Sequence, residues 1–197
     1  TLPSNTALCV GPKIDYVALR TYNMYTGDKI TVVMAKERIS AYLKPEGADV
    51  ALEDYKKGDK VIPYQIVAEY KGTDLVGMDY EQLFPFVKAK DGAFRVIPGD
   101  YVTTEDGTGI VHIAPNFGAD DMNVARKAGV PALDMYDRKG NLRPMVDLEG
   151  KYFNIDDLDE QFVKDFVNRD SYGVYAGRYV KNDYDKNLTD KDETLDI

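Results

Sequence analysis

The stretch Gly107-Thr108-Gly109-Ile110-Val111-His112-Ile113-Ala114-Pro115-Asn116-Phe117-Gly118-Ala119-Asp120-Asp121 constrains this chain more than any other. Gly-Thr-Gly is turn chemistry, and the apolar run after it predicts a strand over Ile110–Ala114. Pro115 ends that strand. The bend at Asn116-Phe117-Gly118 then opens a helix with two acids in its first turn, where carboxylates complement the macrodipole. Strand end, bend and helix start bring one imidazole, several backbone N–H groups and a carboxylate together, and His112 is the sole histidine of the sequence.

Around this centre the pattern is one of short strands. Ala7–Val10, Tyr16–Tyr22 and Ile30–Ala35 read as three of them, with Thr26-Gly27-Asp28 as hairpin chemistry between the last two. Lys36–Leu43 has helical spacing and ends at Pro45 and Gly47, and Val50–Lys57 is weakly helical. Strand signals return between Val61 and Met78, then at Phe94–Ile97, Tyr101–Thr104, Leu133–Tyr136 and Tyr172–Val180. Asp120–Ala128 is predicted to be a helix with Met122, Val124 and Ala125 for packing, closed by Gly129. Asp156–Arg169 predicts another, with Leu158, Phe162, Val163 and Phe166 on one face. Lys181–Asp192 reads as either a surface arm or an edge strand. Many short strands with few helices argue for a mainly β fold, a barrel or sandwich with peripheral helices.

Bulk properties narrow the classes. The 197 residues suit one sizeable core, with 15 Tyr and 7 Phe tilting towards β structure. No apolar stretch approaches the ~18 residues of a membrane helix. Cys9 is alone, which excludes an internal disulfide, favours a reducing compartment and reads as a small buried hydrophobe. The formal charge of −9 argues against strong autonomous nucleic-acid binding. It leaves room for contact with a nucleic-acid end delivered by another part of a larger protein. Both termini read as cut from a longer polypeptide, so the expectation is a single domain, 1–197, excised from a larger chain.

Each chemical candidate has a bland counterpart. His112 is either a core histidine satisfied by a backbone carbonyl or a site residue at the mouth of a strand buried on both faces. Asp120 and Asp121 either cap orphan N–H groups or offer a carboxylate to a ligand ammonium, and spacing does not choose between the two. One His and one Cys are too few soft ligands for a metal site. Gly107-Thr108-Gly109 is by itself a turn more often than a binding loop. The acidic groups at Asp156–Glu160 and Asp190–Glu193 read as solvated faces.

Taken together, the run Gly107–Asp121, the opening Thr1-Leu2-Pro3-Ser4-Asn5-Thr6-Ala7, Gly72–Gly77 with Tyr80 and Leu83-Phe84-Pro85, and Val96–Val102 resemble the inserted editing domain of class I aminoacyl-tRNA synthetases. The turn Asp137…Gly140 fits as well, and the resemblance covers nearly the whole chain. The synthetases for isoleucine, valine and leucine share this domain. The valine branch typically has Lys at the place of His112, and the leucine branch has a Met-Ala-Val-Pro-Ala-His-Asp type of run. The wording found here is similar to the isoleucine branch, the editing (CP1) domain of isoleucyl-tRNA synthetases.

That resemblance implies a β-barrel and hydrolysis of valine wrongly esterified to the tRNA for isoleucine. Isoleucyl-tRNA synthetase is itself the standard illustration of the double sieve, because one methylene separates its two amino acids too weakly for binding alone. Carried over by position, Asp121 would hold the α-ammonium and His112 would line the pocket or orient the ester. Phe117 with Gly118 would form part of the wall, and Asn5 and Thr1 would sit near the ester and terminal adenosine. A positioned water would attack, with no metal or organic cofactor. The implied partners are the valine-bearing 3′ end of tRNA(Ile) and the rest of the parent synthetase, in the cytoplasm and without a membrane. A threonine-rich peptide precedes this opening in the family, so the isolated segment is expected to fold yet hydrolyse poorly. A free-standing deacylase of related fold and a non-catalytic module are the rival readings.

Overall fold

Among residues 1–181, which the computed structural model describes, eight short strands follow one another: β1 Ala7–Val10, β2 Asp15–Tyr22, β3 Lys29–Ala35, β4 Gln65–Lys71, β5 Arg95–Pro98, β6 Ile110–Ile113, β7 Met135–Tyr136 and β8 Leu142–Arg143. They form sheets of order β5-β1-β6 and β3-β2-β4 and the pair β7-β8, and none of these closes on itself among the described residues. Five short helices accompany them: α1 Ile39–Tyr42, α2 Gly72–Leu75, α3 Ala119–Ala128, α4 Glu160–Phe166 and α5 Arg169–Gly173. The chain divides into two units. One comprises Leu8–Asp79 and Val96–Val111, and the other Thr1–Ala7, Tyr80–Arg95 and the chain from His112 onward.

In the first of these units β2 is the central strand and runs antiparallel to both neighbours, with Tyr16 opposite Ala35 and Tyr70. Its residues Tyr16, Val17, Ala18 and Leu19 are all buried, as a strand covered on both sides requires. Val17, Leu19, Met34 and Leu43 make one core, and Val10, Tyr16, Ala35 and Leu75 another. The Tyr16 hydroxyl donates to the Gly109 carbonyl at 2.6 Å and accepts from Gly11 N–H at 2.9 Å. Gly109 has φ +76°, and a Cβ there would lie 2.6 Å from Ala35 Cβ, so the position demands glycine. With Thr108 O accepting from Ala35 N and Gly107 O from Arg38 Nε, Gly-Thr-Gly is a structural turn.

The second unit has a core of Phe86, Val87, Leu133, Met135, Met145, Val146, Tyr152, Leu158, Phe162, Val163, Val167 and Tyr172. α3 ends in a Schellman cap, with Gly129 at φ +68° and Val130 N–H on Ala125 O. The hairpin β7-β8 is held by the Asp137 carboxylate. It accepts from Asn141, Lys139 and Arg143, and these hydrogen bonds, Asn141 foremost, hold it far below the usual carboxylate range.

Two tyrosines of this core test how its polar atoms are satisfied. The Tyr172 hydroxyl donates to Phe153 O at 2.7 Å, whereas the buried Tyr152 hydroxyl has no partner among the described residues. Tyr152→Phe is therefore expected to be neutral or stabilising, and Tyr172→Phe to cost about 1 kcal/mol, or ~2–4 °C in Tm. Thermal unfolding of the two variants checks this, and a larger loss at Tyr152 contradicts it.

Several expectations need correction. Tyr172–Val180 is not a strand: Asn168 caps α5 by accepting from Ser171 N–H, which draws Tyr172 into a helix. Only an isolated bridge, Lys151 with Tyr179, remains there. Tyr101–Thr104 is a loop, tied by Thr104 Oγ1 to Glu37 and by its carbonyl to Arg38. The helix expected over Asp156–Arg169 is a 3-10 turn, Ile155–Asp157, followed by α4 and α5. Asp159 caps α4 through Phe162 N–H, so part of the acidic group is structural, and Phe166 points outward at 44% exposure. Met122 is likewise exposed, leaving Ala125 as the buried residue of α3. Lys36–Leu43 splits into a 3-10 turn, Lys36–Arg38, and α1. Lys181 aside, the stretch left open at Lys181–Asp192 and the acids Asp190–Glu193 lie outside the described residues. Cys9 is buried, and no helix among the described residues is long and apolar enough to cross a membrane.

Candidate active site

β6 lies at the edge of its sheet rather than in the middle, so it is not buried on both faces as expected. Ile110, Val111 and His112 are half-buried and only Ile113 is fully covered. His112 itself is half-buried, so its ring is partly accessible. Its Nε2 lies 2.8 Å from the Thr1 hydroxyl, a side-chain partner in place of the backbone carbonyl of a core histidine.

Two residues after His112 the backbone N–H of Ala114 donates to Asp121 Oδ2 at 2.9 Å. This bond folds the first turn of α3 back onto the end of β6. The carboxylate is thereby held at the backbone two residues beyond His112. Asp121 and the buried Ala125 are four residues apart and share a helix face. Asp120 is exposed on another face. The structure thus separates two acids that spacing leaves equivalent. Asp121 Oδ1 has no hydrogen-bond partner among the described residues and is available to a cation.

The bend itself is tight. Phe117 N–H donates to Ala114 O at 2.9 Å, and the Phe117 ring is 37% exposed. Gly118 is the N-cap with φ −157°, extended backbone open to any residue. A Cβ at Gly118 would lie in ordinary van der Waals contact with the Asp121 carboxyl carbon, at 3.4 Å.

Asn5 is buried and its amide is wholly occupied by the protein. Nδ2 donates to Ala7 O at 2.7 Å and Ile113 O at 3.3 Å, and Oδ1 accepts from the Tyr80 hydroxyl at 2.6 Å. Asn5 therefore clamps the N-terminal segment to β6, next to His112. Thr6 N–H on Ile113 O reinforces the clamp. Tyr80 is one of the residues that carry the resemblance, but nothing in spacing places it on Asn5 or gives it a role. Burial pushes its hydroxyl well above the usual phenol range, which keeps it a donor. Tyr80→Phe leaves Asn5 Oδ1 buried without its donor and should cost about 1–3 kcal/mol. A thermal melt checks this, and an unchanged Tm contradicts it.

The structure thus brings together Thr1 with His112, Asp121 with the end of β6, and Asn5 with Ile113, all within one unit. Among the described residues no group of three or more His, Cys, Asp or Glu forms a metal cluster.

No family model matches the chain. It is 65% identical over 197 residues to the isoleucine–tRNA ligase of Bacteroides fragilis, covering 100% of this chain and 17% of that protein. The corresponding ligase of Porphyromonas gingivalis is 57% identical over 198 residues, covering 100% and 17%. That of Cytophaga hutchinsonii is 47% identical over 193 residues, covering 98% and 16%. The chain therefore spans about 17% of the length of the curated relatives it matches. A solved structure described as GlLeuRS-CP1 aligns with 66% of this chain and 46% of its own at 17% identity and a TM-score of 0.37, too distant to carry an argument.

Proposed function

The chain belongs to the isoleucine–tRNA ligase family, and on that premise we propose that it is the segment that edits, hydrolysing valine from mischarged tRNA(Ile). The observation that carries this reading is the Asp121 carboxylate held on Ala114 N–H, with one oxygen unused, beside a strand whose His112 ring is tied to Thr1. The barrel architecture and a cytoplasmic setting belong to the same proposal.

In this mechanism Asp121 Oδ1 accepts hydrogen bonds from the α-ammonium of the valyl group, a charge-assisted contact that fixes the ester in the bend. His112 and Phe117 bound the space for the side chain and admit valine while crowding the extra methylene of isoleucine, at about 1–3 kcal/mol for overpacking. Thr1 holds the imidazole by its Nε2. Asn5 and Tyr80 position the strand that Thr1 precedes. A water adds to the ester carbonyl, the carbon–oxygen bond to the ribose breaks, and the water's protons end on the ribose hydroxyl and the bulk. Free valine and intact tRNA leave. His112 and Asp121 are the catalytic residues of this reading, and it requires no cofactor.

The test is valine release from Val-tRNA(Ile) by the parent ligase with this segment present and with it replaced by a short linker. Release should vanish in the shortened enzyme while isoleucine activation persists. Undiminished release contradicts the proposal and favours a non-catalytic module.

A further inference from the structure

α3 carries Asp121 in its first turn, yet little apolar packing holds this helix in place. Ala125 is its one fully buried residue, and most of the rest, Met122 included, is exposed. The helix is therefore placed by its ends. At the start the Asp121 carboxylate is itself the tie, through Ala114 N–H. A carboxylate that also serves a ligand is a weak fixed point for its own helix, so the far end decides where α3 lies.

At that far end stands Arg95, the first residue of β5 and part of the same unit. Its Nη2 donates to the carbonyl of Ala128, the last residue of α3. The final carbonyls of a helix lack intrahelical donors and form the negative end of its dipole, so a guanidinium there supplies both a donor and a favourable charge. Arg95 is half-buried and stands in none of the ion pairs of the described residues, and its Nε is buried without a partner among them. Desolvation offsets much of what one neutral partner returns, which leaves a positional role as the better account of this cation. The segment leading to it is fixed from the other side as well. Phe94 has φ +60°, and among the described residues it is the one non-glycine with positive φ. A bulky residue keeps that conformation only where its surroundings enforce it. Phe94 N–H donates to Thr6 O at 2.7 Å and its carbonyl accepts from Tyr80 N–H at 2.8 Å. The Tyr80 and Phe94 rings meet edge to face with centroids 5.9 Å apart. Two residues earlier, a Cβ at Gly92 would lie 3.2 Å from the Gly129 carbonyl oxygen, just past the end of α3. Residues 92–95 thus grip the end of α3 on one side and the Asn5–Tyr80 clamp on the other.

We propose that Arg95 is a positioning residue: by holding the C-terminal end of α3 it sets where Asp121 stands relative to the strand that carries His112. Asp121, Ala125 and Ala128 recur at i, i+4 and i+7, so both ties and the buried residue lie along one face of the helix. Releasing the end at Ala128 lets α3 tilt about Ala125 and carries Asp121 away from Ala114. Arg95 touches neither ester nor water and acts through Asp121. The inference rests on the editing reading for what Asp121 binds, and not for the placement itself.

Hydrogen exchange and valine release, both measured on the parent ligase, test this together. In Arg95→Met, which keeps the apolar stem and removes the donor, the Ala114 amide should exchange about fivefold faster or more. The Val163 amide of α4, hydrogen-bonded to Asp159 O in the same unit, should not change. Valine release from Val-tRNA(Ile) should fall about fivefold in kcat/KM. Arg95→Lys, which returns a cation to a single carbonyl, should recover most of both losses. In an Asp121→Asn background, Arg95→Met should cost less than about twofold further, because residues that act through one contact are not additive. An unchanged Ala114 amide overturns the proposal. So does a Val163 amide that accelerates equally, the mark of general loosening, or a failure of Arg95→Lys to recover either loss. Undiminished further loss in the Asp121→Asn background overturns it too, since Arg95 would then act elsewhere. If the Ala114 amide responds as expected while Asp121→Asn leaves valine release intact, the editing reading falls and the placement of Asp121 by Arg95 stands.

Discussion

Asp121→Asn in the parent ligase is expected to slow valine release from Val-tRNA(Ile) by about 10- to 100-fold. That range corresponds to the ~1.5–3 kcal/mol of a hydrogen bond to a charged group. The asparagine keeps an oxygen for Ala114 N–H, so the bend of β6 into α3 survives. What disappears is the negative charge opposite the substrate ammonium. Some stability goes with it, about 0.3–1 kcal/mol for one charge in the first turn of a helix, too little to unfold the domain. Asp120→Asn is the internal control. Asp120 sits one residue away, exposed and on a different face, and its charge is equally favourable to the helix dipole. Loss of release in Asp121→Asn with wild-type behaviour in Asp120→Asn is the expected pair of results. Equal losses in both would show that the dipole, and not an ammonium contact, is what the acids serve.

His112→Ala is expected to change selectivity more than rate. The imidazole is fixed by Thr1 at 2.8 Å and His112 is half-buried on an edge strand, so the ring bounds space without supporting the core. Removing it opens room for one more methylene. Discrimination of that size is worth about 1–3 kcal/mol, or 10–200-fold, in a hydrophobic pocket, a range for which the isoleucine enzyme is itself the usual example. Hydrolysis of cognate Ile-tRNA(Ile) should therefore rise by tenfold or more, while Val-tRNA(Ile) is still cleaved. Thr1→Val, which takes away the partner of Nε2, should move selectivity in the same direction by less. Unaltered selectivity in His112→Ala removes the ring from the sieve.

How much of this was legible depends on whether the deciding contact is local. β1, β2 and β3 follow from apolar runs and hairpin chemistry, and the structure has them within a residue of the expected bounds. α3 and its cap at Gly129 are equally local. The last strand was illegible because Tyr172, Tyr175 and Tyr179 carry β propensity, while one Asn168 side chain, bonded to Ser171 N–H, decides for helix. The exposure of β6 was hidden for another reason. An apolar run of that density reads as covered on both faces, and only the strand order shows it to be an edge. Within the site, the choice of Asp121 over Asp120 needed the rotation of α3, which Ala125 reveals by its burial. Tyr80 lies 75 residues from Asn5, beyond any spacing argument.

The central claim is that His112 and Asp121 serve one bound aminoacyl group. A crystal structure of the chain with a non-hydrolysable valyl-adenosine analogue tests it most directly. The account predicts the analogue's ammonium within ~3 Å of Asp121 Oδ1, as a charge-assisted hydrogen bond requires, with its isopropyl group between His112 and Phe117. An analogue bound elsewhere, with the Asp121 carboxylate turned to protein alone, would contradict it.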